Sequence, residues 1–403
     1  MAIATGVSKR VVAAREGTWS SQATGAGQIL RRVSSTVGLT KDAYSSNEIL
    51  PSQQVRDFRH GTRRVQGQIT GELSPYTYSD LLAIALRRDL TAGSSSAMTD
   101  IKASSASPNF VRTSGSFLTD GFKLGDIIKT TGWSGAGTGN NNVYWRVTSL
   151  SALSMDVFNI NGTGSTVVTM TSSDSVTMAV VGKKTFIPQS GQTDASFTLE
   201  HWFNDLSQSE LFTGCKPAQI DIGLPAQGMS TFGVNTLGYD MATAATAVYG
   251  TASSATTTNI AAAVNGVLRL AGSDQVVVTG IQFSLNNNMQ APSVVGKNTV
   301  PAIFRGRAIV QGSLTAYFEN VALRNAFLAE TEVSLSVYLV TTSAVNSPAI
   351  SFTFPRIKLN SATKDDPEIG ISQQIAFQAL ENVSGGSGTS SEATTMSYQD
   401  TEA

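Results

Sequence analysis

Charge is scarce in this chain: only 14% of its 403 residues are Asp, Glu, Lys or Arg, where soluble domains carry about a quarter. The 28 basic and 29 acidic residues nearly cancel, for a net charge of -1, so the basic excess that marks nucleic-acid binders is missing. Ser, Thr, Gly, Ala and Asn fill the space, which suits strands, turns and large uncharged contact surfaces. The single cysteine, Cys215, excludes an internal disulfide and any multi-cysteine metal site; it reads as a small buried hydrophobe. No apolar run approaches the ~18 residues that a membrane span needs. The first residues, MAIATGVSKRVVAAREGTW, are basic but lack an apolar core of signal-peptide length. Synthesis and assembly in a cytoplasm are therefore expected.

Catalytic chemistry is equally thin. The two histidines, His60 and His201, have no second histidine or cysteine at ligand spacing, so structural or exposed roles are expected of both. Asp365, Asp366 and Glu368 read as a solvated turn before a strand. Gly135 to Asn142 is glycine-rich but has no following lysine and no helix, so it fails as a phosphate loop. No G-x-S-x-G elbow with a downstream acid and histidine occurs. The expectation is a protein that is not an enzyme, with no catalytic, cofactor-binding or metal-binding residues and no cofactor.

What the chain does contain is a repeat. The stretch from Arg59 to Arg87 recurs 245 positions later, and between Gly61–Thr70 and Gly306–Thr315 five of ten positions are identical. In the first copy Ile69, Gly71 and Leu73 precede a Ser74-Pro75 turn, then Tyr78, Leu81, Leu82, Ala85 and Leu86 follow at helical spacing. Thr77 and Asp80 predict a capped helix start. In the second copy Leu314, Ala316 and Phe318 precede Leu323, Phe327 and Leu328, with Asn320 as the candidate cap. Each copy predicts a glycine-entered strand, a short turn and an amphipathic helix of two to three turns.

Taken in order, residues 1–28 read as an arm that orders against something else. A first unit spans residues 29–90 and 193–241, with a long turn-rich excursion from Gly38 to Arg56; such loops are usually functional. The second unit, 266–383, carries the matching excursion from Asn286 to Ala302. Six or so residues separate the second helix from the next strand, Val333 to Val340. The comparable strand of the first unit, Ser196 to Phe203, lies more than 100 residues beyond its helix. Residues 91–192 are thus an insertion, and their short strands divided by Gly and Asn predict a small sandwich or barrel forming a separate lobe. Residues 242–265 read as a linker and 384–403 as a flexible tail. The fold class is mainly β with short packed helices, a β-sandwich or half-barrel plus helix that is duplicated, with an inserted all-β domain.

One charge cluster rises above background: Arg56, Arg59, His60, Arg63 and Arg64, near Arg31 and Arg32. On a strand, Arg63 and Arg64 point to opposite faces and cannot serve one patch. A subunit contact and a solvated loop entrance both fit, and a phosphate contact is weaker without aromatic platforms.

Three stretches resemble a known family. QVRDFRHGTRRVQGQITGELSPYTYSDLLAIAL (Gln54 to Leu86), LFTGCKPAQIDIGLPAQGMSTFGVNTLG (Leu211 to Gly238) and RGRAIVQGSLTAYFENVALRNAFL (Arg305 to Leu328) are similar to tail tube proteins of long-tailed, non-contractile bacteriophages. The resemblance implies a virion structural protein, assembled in the host cytoplasm into stacked rings through which DNA leaves the capsid. Such rings carry six tube folds, so two folds per chain imply a homotrimeric, pseudo-hexameric ring. Tape-measure, tail terminator and distal tail proteins would be further partners, and DNA would be a transient, non-specific occupant of a neutral to acidic lumen. On this reading Val65, Gln66, Gly67, Ile69, Val310, Gln311, Gly312 and Leu314 join sheets across subunits. Tyr44, Asn47, Gln53, Arg56, Arg59, Asn287 and Lys297 reach the adjacent ring, and the insert decorates the outside. The competing class is another virion structural protein or a receptor- or carbohydrate-binding protein, which would expose an aromatic platform.

Overall fold

The computed structural model describes residues 3–161, 167–275, 278–319, 321–365, 368 and 370–403. The fold is mainly β. In the first unit the Phe58–Glu72 strand alternates inward Val65 and Ile69 with outward Gln66, Gln68 and Thr70, the period of a half-buried strand. Gly38–Ser45 pairs on one edge and Thr231–Gly238 on the other. The long strand Gln208–Pro225 then pairs with Thr231–Gly238 through its second half and with Phe197–Phe203 through its first. Lys9–Arg15 closes the far edge of Phe197–Phe203.

The second unit repeats this order. Ile309–Tyr317 lies between Val278–Asn286 and Ser372–Ala379. Ala349–Leu359 runs from Val333–Val340 across to Ser372–Ala379, and Gly266–Leu270 flanks Val333–Val340. Registers correspond residue by residue: Val65 faces Leu39 and Gly238, and Val310 faces Leu285 and Ala379. Lys216 faces Leu237 as Lys358 faces Gln378.

The shared Val-Gln-Gly has a packing cause. A Cβ on Gly67, whose φ is 152°, would sit 2.5 Å from Val37 Cα, and one on Gly312 would sit 2.5 Å from the Gln282 carbonyl and 2.6 Å from Phe377. Both positions admit only glycine, because the neighbouring backbone or ring occupies the space of a side chain.

Each unit carries a seven-residue helix, α1 (Ser79–Ala85) and α2 (Ala322–Leu328), about two turns. The capped start expected at Thr77 is corrected: the N-cap position is Tyr78, without a side-chain cap. Thr77 Oγ1 instead bonds Ser74 Oγ and Thr256 Oγ1. Asn320 lies outside the described residues. Both helices end in a residue of left-handed conformation, Arg87 (φ 62°) and Glu330 (φ 50°).

The two units share one sheet and one core. Gln219–Pro225 pairs in register with Gly280–Asn286, and a single buried cluster runs from Val65, Leu82 and Ile220 to Phe283, Val310 and Phe354.

Both chain ends are more built in than their composition predicts. Lys9–Arg15 runs in register with Phe197–Phe203, burying Val11, Val12 and Ala14. The tail, read as flexible, forms a strand at Ser397–Asp400 between Lys183–Phe186 and Ala349–Leu359. Met396 and Tyr398 are buried, and Asp400 Oδ2 accepts bonds from Tyr76 N, Ser79 Oγ and Tyr398 Oη near the start of α1. Four alternating residues after a Gly-Ser tract carry no local strand signal; the partners on either side supply the order.

The insertion forms a closed six-stranded barrel from Ser95–Ser104, Asn109–Arg112, Ile127–Thr131, Tyr144–Leu150, Ser154–Asn159 and Met170–Val180. It has its own core around Phe110, Trp145, Val147, Met155 and Met178. It is fastened to the second unit rather than hanging free. Arg146 donates to both Asp274 oxygens (2.8 and 2.7 Å), Tyr144 N donates to Val345 O, and Gln399 bonds both backbone groups of Ile127.

Candidate assembly site

The strands holding Val65, Gln66, Gly67, Ile69 and Val310, Gln311, Gly312, Leu314 have backbone partners on both edges within the chain. That corrects the expectation that they join sheets across subunits, because a strand bonded on both sides has no ladder left to offer. Two open edges lie at the ends of the sheet that the units share. Among the described residues Gly38–Ser45 pairs only with Phe58–Glu72. The run 359–364 pairs with Ser372–Ala379 on one side, and among the described residues its other side has no backbone partner.

The seam between the units shows what such edges do when joined. Asn287, fully buried, donates to Ala85 O (3.0 Å) and Pro217 O (3.3 Å) and accepts from Arg87 Nη2 (2.8 Å) and Nε (3.1 Å). Arg87 also reaches Gly306 O at 2.8 Å. Beside it Asp194 receives Lys216 Nζ at 2.7 Å from its own unit and Arg305 at 3.0 Å from the other. Arg305 further donates to the carbonyls of Thr193 and Ala195. Burial, then the charge of Arg305, lowers the Arg87 pKa; burial lowers that of Arg305, against the pull of Asp194. Two guanidinium sites, one carboxylate and the Asn287 amide thus lock the backbone-paired sheet joint, with Asn286 Nδ2 donating to Gln219 Oε1 beside them.

This corrects one expectation: Asn287 is not a loop-tip residue but a buried member of the seam. Sequence reasoning passed over Arg87, Asp194 and Arg305, since single charges at element ends carry no motif. The only available signal was a charged residue where each helix closes.

The other expected contact residues share one end of the molecule. Tyr44, Asn47, Gln53, Arg56 and Arg59 are exposed on the hairpin 38–72, with Ile49 at 99% exposure and Val55 at 72% near its tip. The second loop lies alongside: Asn298 O accepts Arg63 N at 2.8 Å, and Lys297 is exposed. Arg63 and Arg64 do diverge, pairing with Asp240 (2.6 Å) and Asp42 (3.0 Å). His60 stacks edge-on to Phe58, while His201 is buried against Ser35.

The outward face of the shared sheet is a polar concavity. Gln68, Thr70, Glu72, Asp221, Gln282 and Ser284 are among its lining residues, and no Lys or Arg is. Among the described residues no cluster of three metal-type side chains occurs, and no helix is long and apolar enough to cross a membrane. Cys215 is buried, and burial pushes its thiol pKa well up.

No curated protein matches the chain. The family described as "Phage tail tube protein" matches residues 6–379. A duplicated sheet unit with open terminal edges, matched over nearly its whole length, places this chain in the phage tail tube protein family, as a structural component of the virion.

Proposed function

We propose that the chain forms closed rings of three copies, six tube units in all, that stack into the conduit for phage DNA. The observation that carries this is the internal seam. Gln219–Pro225 of the first unit binds Gly280–Asn286 of the second. The counterpart of Gln219–Pro225 at the chain's other end is 361–364, since Asp221 faces Gly233 as Thr363 faces Gln374. The counterpart of Gly280–Asn286 is 34–40, since Ser34 faces Thr70 as Gly280 faces Thr315, and Leu39 faces Val65 as Leu285 faces Val310. Each chain therefore presents one edge of the seam at one end and the complementary edge at the other. Such a head-to-tail contact repeats from copy to copy and closes when the rotation allows.

The polar face fits a wall past which DNA slides. Its glutamines, with Asp221 and Glu72, offer no fixed cation for phosphates to bind. The hairpin tips, with Tyr44, Asn47, Gln53, Arg56, Arg59 and Lys297, form the contact to the next ring, and the tape-measure, tail terminator and distal tail proteins are further partners of the stack. Both tryptophans of the insert, Trp133 and Trp145, are buried, which favours this reading over a carbohydrate-binding lobe. Native mass measurement of isolated rings tests it: three chains per ring are expected, and six would refute the stoichiometry.

A further inference from the structure

We infer that the seam between chains is locked by an ion pair, Glu330 of one copy with Lys41 of the next, in place of the arginine–amide lock inside each chain. This rests on the ring reading and specifies its contact.

The positions follow from the repeat. Asn287 lies two residues beyond Leu285, which faces Val310; Lys41 lies two residues beyond Leu39, which faces Val65. On the other side of the seam, Arg87 and Glu330 are the left-handed residues that close α1 and α2. Glu330 also occupies the place of Asp194, because Asp194 meets Lys216 and Glu330 meets Lys358 (3.6 Å), and those lysines stand at equivalent points. In the first unit the insertion separates the helix end from the returning strand. In the second unit one short turn does both jobs.

The chemistry is inverted on both sides together. Within the chain the donor is Arg87, and Asn287 accepts it through Oδ1 while its amide hydrogens go to Ala85 O and Pro217 O. At the ring contact the residue in Arg87's place is an acceptor, Glu330, and the residue in Asn287's place is a donor without acceptor capacity, Lys41. The lysine's three hydrogens can serve Glu330 and the carbonyls of Leu328 and Leu359, the counterparts of Ala85 and Pro217. Both side chains are exposed in the single chain, Glu330 by 81%, and Lys41 has no ion-pair partner among the described residues. Arg305 has His60 as its counterpart 245 positions earlier, placed to approach the same turn from the neighbouring copy. An asymmetric lock of this kind also sets polarity, since two first-unit edges would bring Lys41 to Lys41.

The test uses the full chain with charge reversals K41E and E330K, separately and together. Ring formation is followed by sedimentation and electron microscopy against protein and salt concentration. Urea unfolding of unassembled chain reports on folding and should be little changed, because both sites are exposed. Each single reversal is expected to raise the concentration at which rings form roughly tenfold or more, since like charges across a joint are penalised. The double reversal should recover most of the loss. Singles that assemble as the unaltered chain does, or a double that recovers nothing, would overturn the lock and leave the ring reading standing. An unaltered chain that never forms rings would remove both.

Discussion

Replacing Asp274 with alanine tests whether the inserted barrel is fixed to the second unit. Arg146, with 2% of its side chain exposed, has both terminal nitrogens on Asp274. It also donates to Asn159 O at 3.2 Å and lies against the rings of Phe158 and Tyr338. Burial raises the Asp274 pKa, but the bonds from Arg146, its charge and those of Arg269 outweigh this and hold the carboxyl low. Breaking a buried pair from one side costs about 3–5 kcal/mol, because the other charge is stranded. Asp274 is itself 32% exposed, so water reaches the joint and about 2–3 kcal/mol is the better figure. Thermal unfolding is a poor detector: at ~2.1 cal/mol/K per residue, a chain of 403 residues shifts only about 1 °C per kcal/mol. Urea unfolding in a double-mutant cycle with R146M and D274L is the assay of choice. D274A should lose about 2–3 kcal/mol, and the apolar double variant should return to within about 1 kcal/mol of the original. A loss below about 0.5 kcal/mol for D274A would show that the guanidinium is satisfied without its partner, and the reasoning would fail.

Two further outcomes follow from features already described. Burial, the largest influence, lowers the His201 pKa, as do Lys9 and Arg32, while Glu210 pulls it up. The unfolded chain therefore binds the proton more readily than the folded one, and stability present above about pH 6.5 declines as pH falls below that value toward the lower folded one. H201Q should flatten this limb, and identical urea midpoints' pH slopes for the two proteins between pH 7.5 and 5 would contradict the assignment. Deleting residues 48–55, which hold the exposed Ile49 and Val55, should leave single rings that do not stack; tubes of ordinary length by electron microscopy would exclude the hairpin tip as the ring-to-ring contact.

The duplication was legible because it is written twice, and because Gly67 and Gly312 sit where no side chain fits. Alternation in Phe58–Glu72 and Val333–Val340 gave the strands. What local pattern could not give was which edge pairs with which. Register between distant strands is decided by long-range packing, so local pattern alone points the subunit contact to the strands of Val65 and Val310, which lie inside the sheet. The same limit hid Ser397–Asp400, whose order comes from Lys183–Phe186 and Ala349–Leu359 on either side. Arg87, Asp194 and Arg305 were invisible for a related reason: a lock between units is a property of their juxtaposition, not of any one segment.

The barrel occupies only one of two otherwise matching positions: the first unit leaves α1, travels through residues 95–180 and returns, while the second turns back within four residues after α2. A wall of six equivalent staves would then carry three projections, alternating with three bare staves. If the rings form as proposed and the barrel faces outward, such a tube would have a sixfold bore and a threefold exterior, so inner and outer surfaces would follow different symmetries. A neighbour gripping the outside of such a ring would read an orientation that cargo passing through the bore never meets.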